Sequence, residues 1–239
     1  HEKKMAVLLK PHLWIAHGMY TGAFTLHSDK DWQLWEGSYS AYILHFATIA
    51  DSLKVEMFCI GTELGAAIKE RPAFWISLID SVKQIYHGKL TYAANWDDYK
   101  NFPLWEKLDY IGVDAYFPLS DEVTPTITSL TKAWKKYINA LEKIAEEKNK
   151  PVLFTEYGYR NVDYNCAEPW KETEGKQNDE AQANAYEAFY QSFKGKKWFA
   201  GGFAWKWYAD EKHQRNSKID FTPQGKQAQK VLKNWYRSN

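Results

Sequence analysis

The chain has 239 residues, of which 45% are hydrophobic and 26% charged, so it can bury one large core, and we expect a single domain over residues 1–239. Its 31 Lys and Arg residues nearly balance 30 Asp and Glu residues, which gives no reason to expect nucleic acid or an anionic membrane as a partner. The 12 Trp and 16 Tyr residues favour a neutral sugar ligand, although for any single Trp a place in the core is the simpler interpretation.

The two cysteines and the N-terminus bear on the compartment. Cys59 lies in an apolar strand-like run and Cys166 in a polar loop, so we expect two free thiols. No apolar stretch reaches the length of a membrane span, and residues 1–10 lack the cleavage site of a signal peptide. Because a mature secreted protein has already lost its signal, the compartment stays open. We slightly favour a secreted or periplasmic location over a cytoplasmic one.

Strand-like runs alternate with helical periods along the whole chain. The runs cover residues 5–15, 55–61, 89–95, 109–117, 151–157 and 198–208. Helical spacing of apolar residues covers 39–53, 74–85, 124–148, 179–193 and 223–235, and a short segment near residue 104 follows the third run. The pattern therefore predicts six strand-then-helix units.

Strict alternation of strand and helix predicts a parallel sheet covered by helices, either open and doubly wound or closed into a barrel. The glycine-rich phosphate-binding motifs of the open class are missing from the sequence. The barrel class carries its chemistry in the loops at the C-terminal ends of its strands. We therefore predict an α/β fold, a TIM-barrel-like parallel β/α barrel with about six of the eight strand-helix units.

Functional side chains stand at the end of every strand-like run. They are His12 and Trp14, then Glu63, then Asn95 and Trp96, then Asp114 and Tyr116, then Glu156, and finally Trp205 and Trp207. Within three of these runs the two residues are two positions apart. Because side chains alternate along a strand, we expect each such pair to face one side, toward the barrel axis.

Two of these residues, Glu63 and Glu156, suggest glycoside hydrolysis. One carboxyl group would protonate the leaving oxygen, and the other would attack the anomeric carbon or activate water. A separation near ~5 Å would indicate a retaining double displacement. The alternative is that each glutamate forms a buried ion pair. The sequence contains no H-E-x-x-H, C-x-x-C or G-x-S-x-G motif, so we expect neither a protein-bound metal nor a serine nucleophile, and no cofactor.

Six segments resemble glycoside hydrolase family 113, the β-mannanases of the retaining clan A of (β/α)8 hydrolases. They run in order from the N-terminus to the final helix: LLKPHLWI, CIGTEL, LTYAANWDDY, LDYIGVDAYFPL, FTEYGYR and GGFAWKWY. The resemblance implies a retaining endo-β-1,4-mannanase. It also implies that Glu63, after strand 4, is the acid/base and that Glu156, after strand 7, is the nucleophile.

The resemblance also implies the residues that bind sugar. Tyr116 matches a tyrosine that donates a hydrogen bond to the nucleophile, and Trp205, or alternatively Trp207, matches the floor of the sugar subsite. Thr62 stands where the clan often has an Asn that holds the sugar 2-hydroxyl, and it is a shorter partner. The expected substrate contacts are His12, Trp14, Thr62, Asn95, Trp96, Asp114, Tyr116, Trp170, Trp205 and Trp207.

By the family's pattern, residues 5–15 are the third strand, so strands 1 and 2 are absent from this chain. Unpaired edges at residues 5–15 and 198–208 would invite pairing with another chain, and we expect association or local rearrangement to fill the gap. Three functions stay open: a hydrolase of β-1,4-mannan or a related neutral β-glycan, a glycan-binding protein that has lost catalysis, and an open six-stranded enzyme unrelated to hydrolases.

Overall fold

The computed structural model describes residues 5–15, 19–172, 174–209 and 218–237. The chain divides into two compact units, which we call unit 1 (residues 1–113) and unit 2 (residues 114–239). No helix in the described ranges is long and apolar enough to span a membrane. Cys59 and Cys166 are both buried and are not joined in a disulfide.

Unit 1 contains the first strands of the sheet and the helices that follow them. Its elements are β1 (Leu8–Leu9), α1 (Asp29–Ser52), β2 (Met57–Thr62), α2 (Gly65–Glu70), α3 (Pro72–Ile85), β3 (Lys89–Asn95) and β4 (Ile111–Asp114), whose last residue belongs to unit 2. β1 pairs with β2 and β2 with β3, both in parallel. The β2–β3 register shifts between Cys59 and Thr62, immediately before Glu63.

The helices of unit 1 begin where the sequence supplies the proper caps. Ser28 caps α1 because its side chain accepts a hydrogen bond from the Asp31 amide, and α3 begins with Pro72 in its first turn. α1 packs on β2 through Tyr39, whose hydroxyl donates to the Ile60 carbonyl at 3.0 Å. A Cβ on Gly61 would lie 3.1 Å from the Trp75 ring, so the absence of a side chain lets this large core residue pack tightly against the end of β2.

Unit 2 repeats the same order of strand and helix. After the end of β4 come α4 (Ile127–Lys148), β5 (Val152–Tyr157), α5 (Asp179–Phe193), β6 (Phe199–Ala204) and α6 (Gln227–Arg237). β5 and β6 are parallel, with Val152 opposite Phe199. Trp134 of α4 is fully buried, and its ring centroid lies 5.0 Å from that of Phe193 in α5.

The strands follow chain order in the sheet, from β1 through β6, and the described pairings are parallel. This confirms the predicted parallel β/α class. Three strands are at least five residues shorter than the runs in the sequence: β1, β6 and β4, which covers only Ile111–Asp114 of the run 109–117. Only Leu8–Leu9 of the run 5–15 forms a strand, because Pro11 has no amide hydrogen to continue the ladder. β6 ends at Ala204, before either of the tryptophans that follow.

Candidate active site

Glu63 is the first residue after β2, and its backbone turns sharply there. Its φ angle is +50°, a left-handed value that is uncommon for a residue with a side chain. The Glu63 amide donates to the Ala93 carbonyl of β3 at 2.8 Å, which fixes this turn against the neighbouring strand. The half-buried side chain lines a cavity of about 340 Å³ within unit 1, which we call the Glu63 cavity.

Polar side chains form much of the wall of the Glu63 cavity. The Asn95 amide nitrogen donates to the Tyr20 hydroxyl at 2.5 Å, and the Asn95 side-chain oxygen accepts from the Trp96 amide at 2.8 Å. Lys69 Nζ lies 3.2 Å from an Asp98 carboxylate oxygen, so this cation is already paired within the wall. The wall therefore presents hydrogen-bonding groups of the kind that recognise sugar hydroxyls.

Tyr20 is a wall residue that the strand-end pattern does not predict. Burial, followed by the negative charge of Glu63, raises the pKa of Tyr20 to about 12, with smaller contributions from Asp97 and Asp98, while the hydrogen bond from Asn95 acts in the opposite direction. The Tyr20 phenol is therefore protonated near neutral pH. It precedes a short 3₁₀ turn, outside every strand and helix, where no periodic signal marks it.

Thr62 and Tyr92 lie beneath the Glu63 turn. Thr62 is 4% exposed, its hydroxyl has no hydrogen-bond partner among the described residues, and it does not line the cavity. The buried Tyr92 hydroxyl accepts from the Leu64 amide at 2.6 Å. Tyr92 thus supports the backbone next to Glu63, while Thr62 is enclosed in the protein rather than presented to a ligand.

Glu156 is the next-to-last residue of β5, in unit 2. The Tyr116 hydroxyl donates to its Oε2 at 2.8 Å, which is the contact expected between this tyrosine and the candidate nucleophile. Tyr116 is only 8% exposed, whereas the glutamate is half-buried. The Ala115 amide also donates to the Glu156 carbonyl at 2.7 Å, so the backbone pairing places the tyrosine beside the carboxylate.

Asp114 occupies a position unlike that of a surface sugar contact. It is 1% exposed, and one of its carboxylate oxygens accepts from the Thr155 hydroxyl at 2.7 Å. This bond joins the end of β4 to the residue before Glu156. Asp114 therefore helps to fix the strand that carries Glu156.

Trp205 follows β6 directly and is tied to the strand that carries Glu156. Its amide donates to the Tyr157 carbonyl at 2.7 Å. The Trp205 carbonyl lies so close to Gly158 that a Cβ at that glycine would collide with it. Trp205 is half-buried, whereas Trp207 and Trp170 are 52% and 41% exposed. Unit 2 thus has one anchored and two exposed tryptophans among the predicted sugar contacts.

The remaining predicted contacts are in unit 1. His12 and Trp14 follow β1 in the chain and belong to no strand. Their rings are stacked with centroids 4.6 Å apart, and Trp14 is 74% exposed. Trp96 is half-buried at the end of β3, next to Asn95. In the described parts of the chain, no group of three or more His, Cys, Asp or Glu side chains is placed to hold a metal ion.

Comparison with known proteins identifies relatives over the whole chain. The profile of Glycoside Hydrolase Family 113 matches residues 1–226. A GH113 β-1,4-mannanase, solved as a complex, shares 27% sequence identity with a TM-score of 0.85, and the match covers 100% of this chain and 75% of that one. No curated protein sequence matches.

A second family member and a more distant structure agree with this match. The GH113 β-mannanase AaManA from Alicyclobacillus acidocaldarius, in complex with ManMIm, shares 27% identity with a TM-score of 0.84, over 98% of this chain and 73% of that one. A Ruminococcus gnavus β-glucuronidase, at 15% identity and a TM-score of 0.62 over 84% of this chain and 35% of its own, shares the fold alone. The chain therefore belongs to Glycoside Hydrolase Family 113.

Proposed function

We propose that this protein is a retaining glycoside hydrolase that cleaves β-1,4-linked mannan or a related neutral β-glycan. The observation that carries the proposal is the hydrogen bond from Tyr116 to Glu156 at the end of β5, in a chain that belongs to Glycoside Hydrolase Family 113. The similar solved proteins of this family are described as β-mannanases, which supports the choice of substrate.

In the first chemical step, a carboxylate oxygen of Glu156 attacks the anomeric carbon while Glu63 gives its proton to the leaving oxygen. This step forms a covalent glycosyl-enzyme intermediate. In the second step Glu63 takes a proton from water, and the water oxygen displaces the glutamate from the same carbon. Because each step inverts the anomeric configuration, the product keeps the configuration of the substrate.

The surroundings of each glutamate suit its proposed role. Tyr116 donates a hydrogen bond to Oε2 of Glu156 at 2.8 Å, so this carboxylate is held in one orientation for attack. Glu63 lines a cavity whose wall contains hydrogen-bonding partners for a leaving sugar. A neutral acetal needs both a proton donor and a nucleophile, and two carboxyl groups supply them.

The first test is the release of reducing ends from mannan, glucomannan, cellulose and xylan. We expect release from mannan, its loss in Glu156→Ala and Glu63→Ala, and normal release in Glu147→Ala, the matched change at a surface glutamate of α4. NMR of the first products should show the β anomer. Undiminished release in Glu156→Ala, or an α product, would contradict the proposal.

A dinitrophenyl glycoside separates the two roles, because dinitrophenolate is a good leaving group that departs without a proton. With this substrate, Glu63→Ala should still show a rapid first release of dinitrophenolate, whereas Glu156→Ala should show none. A glycan-binding protein without catalysis would release nothing but would still bind mannan. The exposed Trp14 and Trp207 are available for such binding, so retardation in a mannan gel without any release of product identifies this function.

A further inference from the structure

Tyr20 is placed in the Glu63 cavity with its hydroxyl group only partly engaged. The ring is half exposed, and the hydroxyl oxygen accepts a hydrogen bond from Asn95 at 2.5 Å. A phenol can donate one hydrogen bond as well as accept, so this arrangement leaves the Tyr20 hydrogen for a second partner. Asn95 in turn is fixed by its bond to the Trp96 amide, and the tyrosine is therefore held by a rigid strand end.

The glycine two residues after Tyr20 allows this position. A Cβ on Gly22 would collide with the Tyr20 ring at Cε1, Cζ and the hydroxyl oxygen, so the ring folds back over its own 3₁₀ turn, Thr21–Ala23. Any other residue at this place would push the ring away. Gly37 in α1 differs, because a Cβ there would meet nothing within 4 Å. The local sequence is thus suited to keeping one tyrosine hydroxyl at the cavity wall.

The Tyr20 hydroxyl group is a hydrogen-bond donor throughout the neutral range, because a phenol with its ordinary pKa is protonated there. Partial burial, followed by the charge of Glu63, raises the pKa of Tyr20 further, to about 12. Sugar hydroxyls and ring oxygens are acceptors for such a hydrogen. The proton that Glu63 supplies goes to the oxygen of the leaving sugar, so that sugar must lie beside Glu63 and therefore in this cavity.

We infer that Tyr20 binds the leaving-group sugar and orients it toward Glu63. This inference rests on the proposed function, because it takes Glu63 as the proton donor. Tyr20 then determines specificity on the leaving-group side of the cleaved bond. The contribution of its hydroxyl depends on the presence of a sugar there and is lost when another leaving group takes its place.

The test compares two substrates in two variants and two controls. Tyr20→Phe removes the hydroxyl, and Gly22→Ala displaces the ring. Their controls are Tyr164→Phe, at an exposed tyrosine of unit 2, and Gly37→Ala. On mannotetraose we expect kcat/KM to fall roughly three- to tenfold in both variants, the effect of one lost hydrogen bond. On the dinitrophenyl mannobioside, which has no sugar as leaving group, we expect a change of less than about twofold.

Equal losses on both substrates would overturn the inference, since Tyr20 would then act on the fold or on the chemistry in general. No loss on mannotetraose would overturn it too. If the unmodified protein hydrolyses neither substrate, the proposed function fails. The role of Tyr20 is then decided by ligand-observed NMR, which measures the binding of mannobiose to the unmodified protein and to Tyr20→Phe. Weaker binding by Tyr20→Phe supports the contact, whereas equal binding, or no binding to either protein, contradicts it.

Discussion

The hydrogen bond between Tyr116 and Glu156 allows a prediction that does not depend on activity. A hydrogen bond to a charged group contributes about 1.5–3 kcal/mol to stability. The tyrosine is 8% exposed and the carboxylate half-buried, so water competes for one end of the 2.8 Å bond. We therefore take the lower end of this energy range and expect a coupling free energy of about 1.5 kcal/mol between the Tyr116 and Glu156 side chains.

A double-mutant cycle measures this coupling. Tyr116→Phe, Glu156→Ala and the double variant are unfolded in urea, and the free energies of unfolding are compared. Tyr137→Phe is the matched control, because the Tyr137 hydroxyl donates to the neutral Pro118 carbonyl at 2.8 Å, and it should show no coupling to Glu156. A coupling below about 0.5 kcal/mol for the Tyr116 pair would refute the reasoning.

The same substitution tests the catalytic role of the bond. If Tyr116 holds Glu156 for attack, a loss of about 1.5 kcal/mol lowers kcat/KM of Tyr116→Phe on mannan oligosaccharides about tenfold. We expect most of this loss in kcat, since the tyrosine orients the nucleophile rather than the substrate. An unchanged kcat together with the measured coupling would show that the bond is structural only.

Three further predictions concern packing and burial in unit 2. Gly158→Ala should lower the free energy of unfolding by about 1–3 kcal/mol in urea titrations, because its Cβ collides with the Trp205 carbonyl. Trp134→Ala should cost about 3–5 kcal/mol in the same assay, since the ring is fully buried against Phe193. Burial raises the pKa of the Cys166 thiol, so Ellman's reagent should label it only after unfolding, and fast labelling of the native protein would contradict the described burial.

Elements with strong local signals could be predicted closely from the sequence. The strand Lys89–Asn95 has the predicted bounds, and the helix predicted near residues 179–193 is found at Asp179–Phe193. The helix begins there because the Asn178 side chain accepts a hydrogen bond from the Ala181 amide at 2.9 Å, and residues 179 and 180 place two acidic side chains in its first turn. Local chemistry alone fixes such boundaries.

Tertiary contacts decide the features that the pattern does not reveal. The run 5–15 contains enough apolar residues for a long strand, yet only Leu8–Leu9 pairs, since the ladder needs amide hydrogens that Pro11 lacks. Tyr20 enters the Glu63 cavity through a hydrogen bond to Asn95, which is 75 residues away in the chain. No periodicity predicts a contact of that separation.

The two candidate catalytic glutamates differ in how far the sequence determines their surroundings. Glu156 lies within β5, so the pairing of the Ala115 amide with its carbonyl brings Tyr116 to its side, and both residues stand at predicted strand ends. Glu63 lies past the end of β2 with φ +50°, where backbone pairing no longer dictates which side chains are near. The partners of a strand residue therefore follow from register, whereas those of an exit-loop residue depend on loops elsewhere in the chain. The residue that the sequence pattern missed, Tyr20, accordingly belongs to the Glu63 cavity.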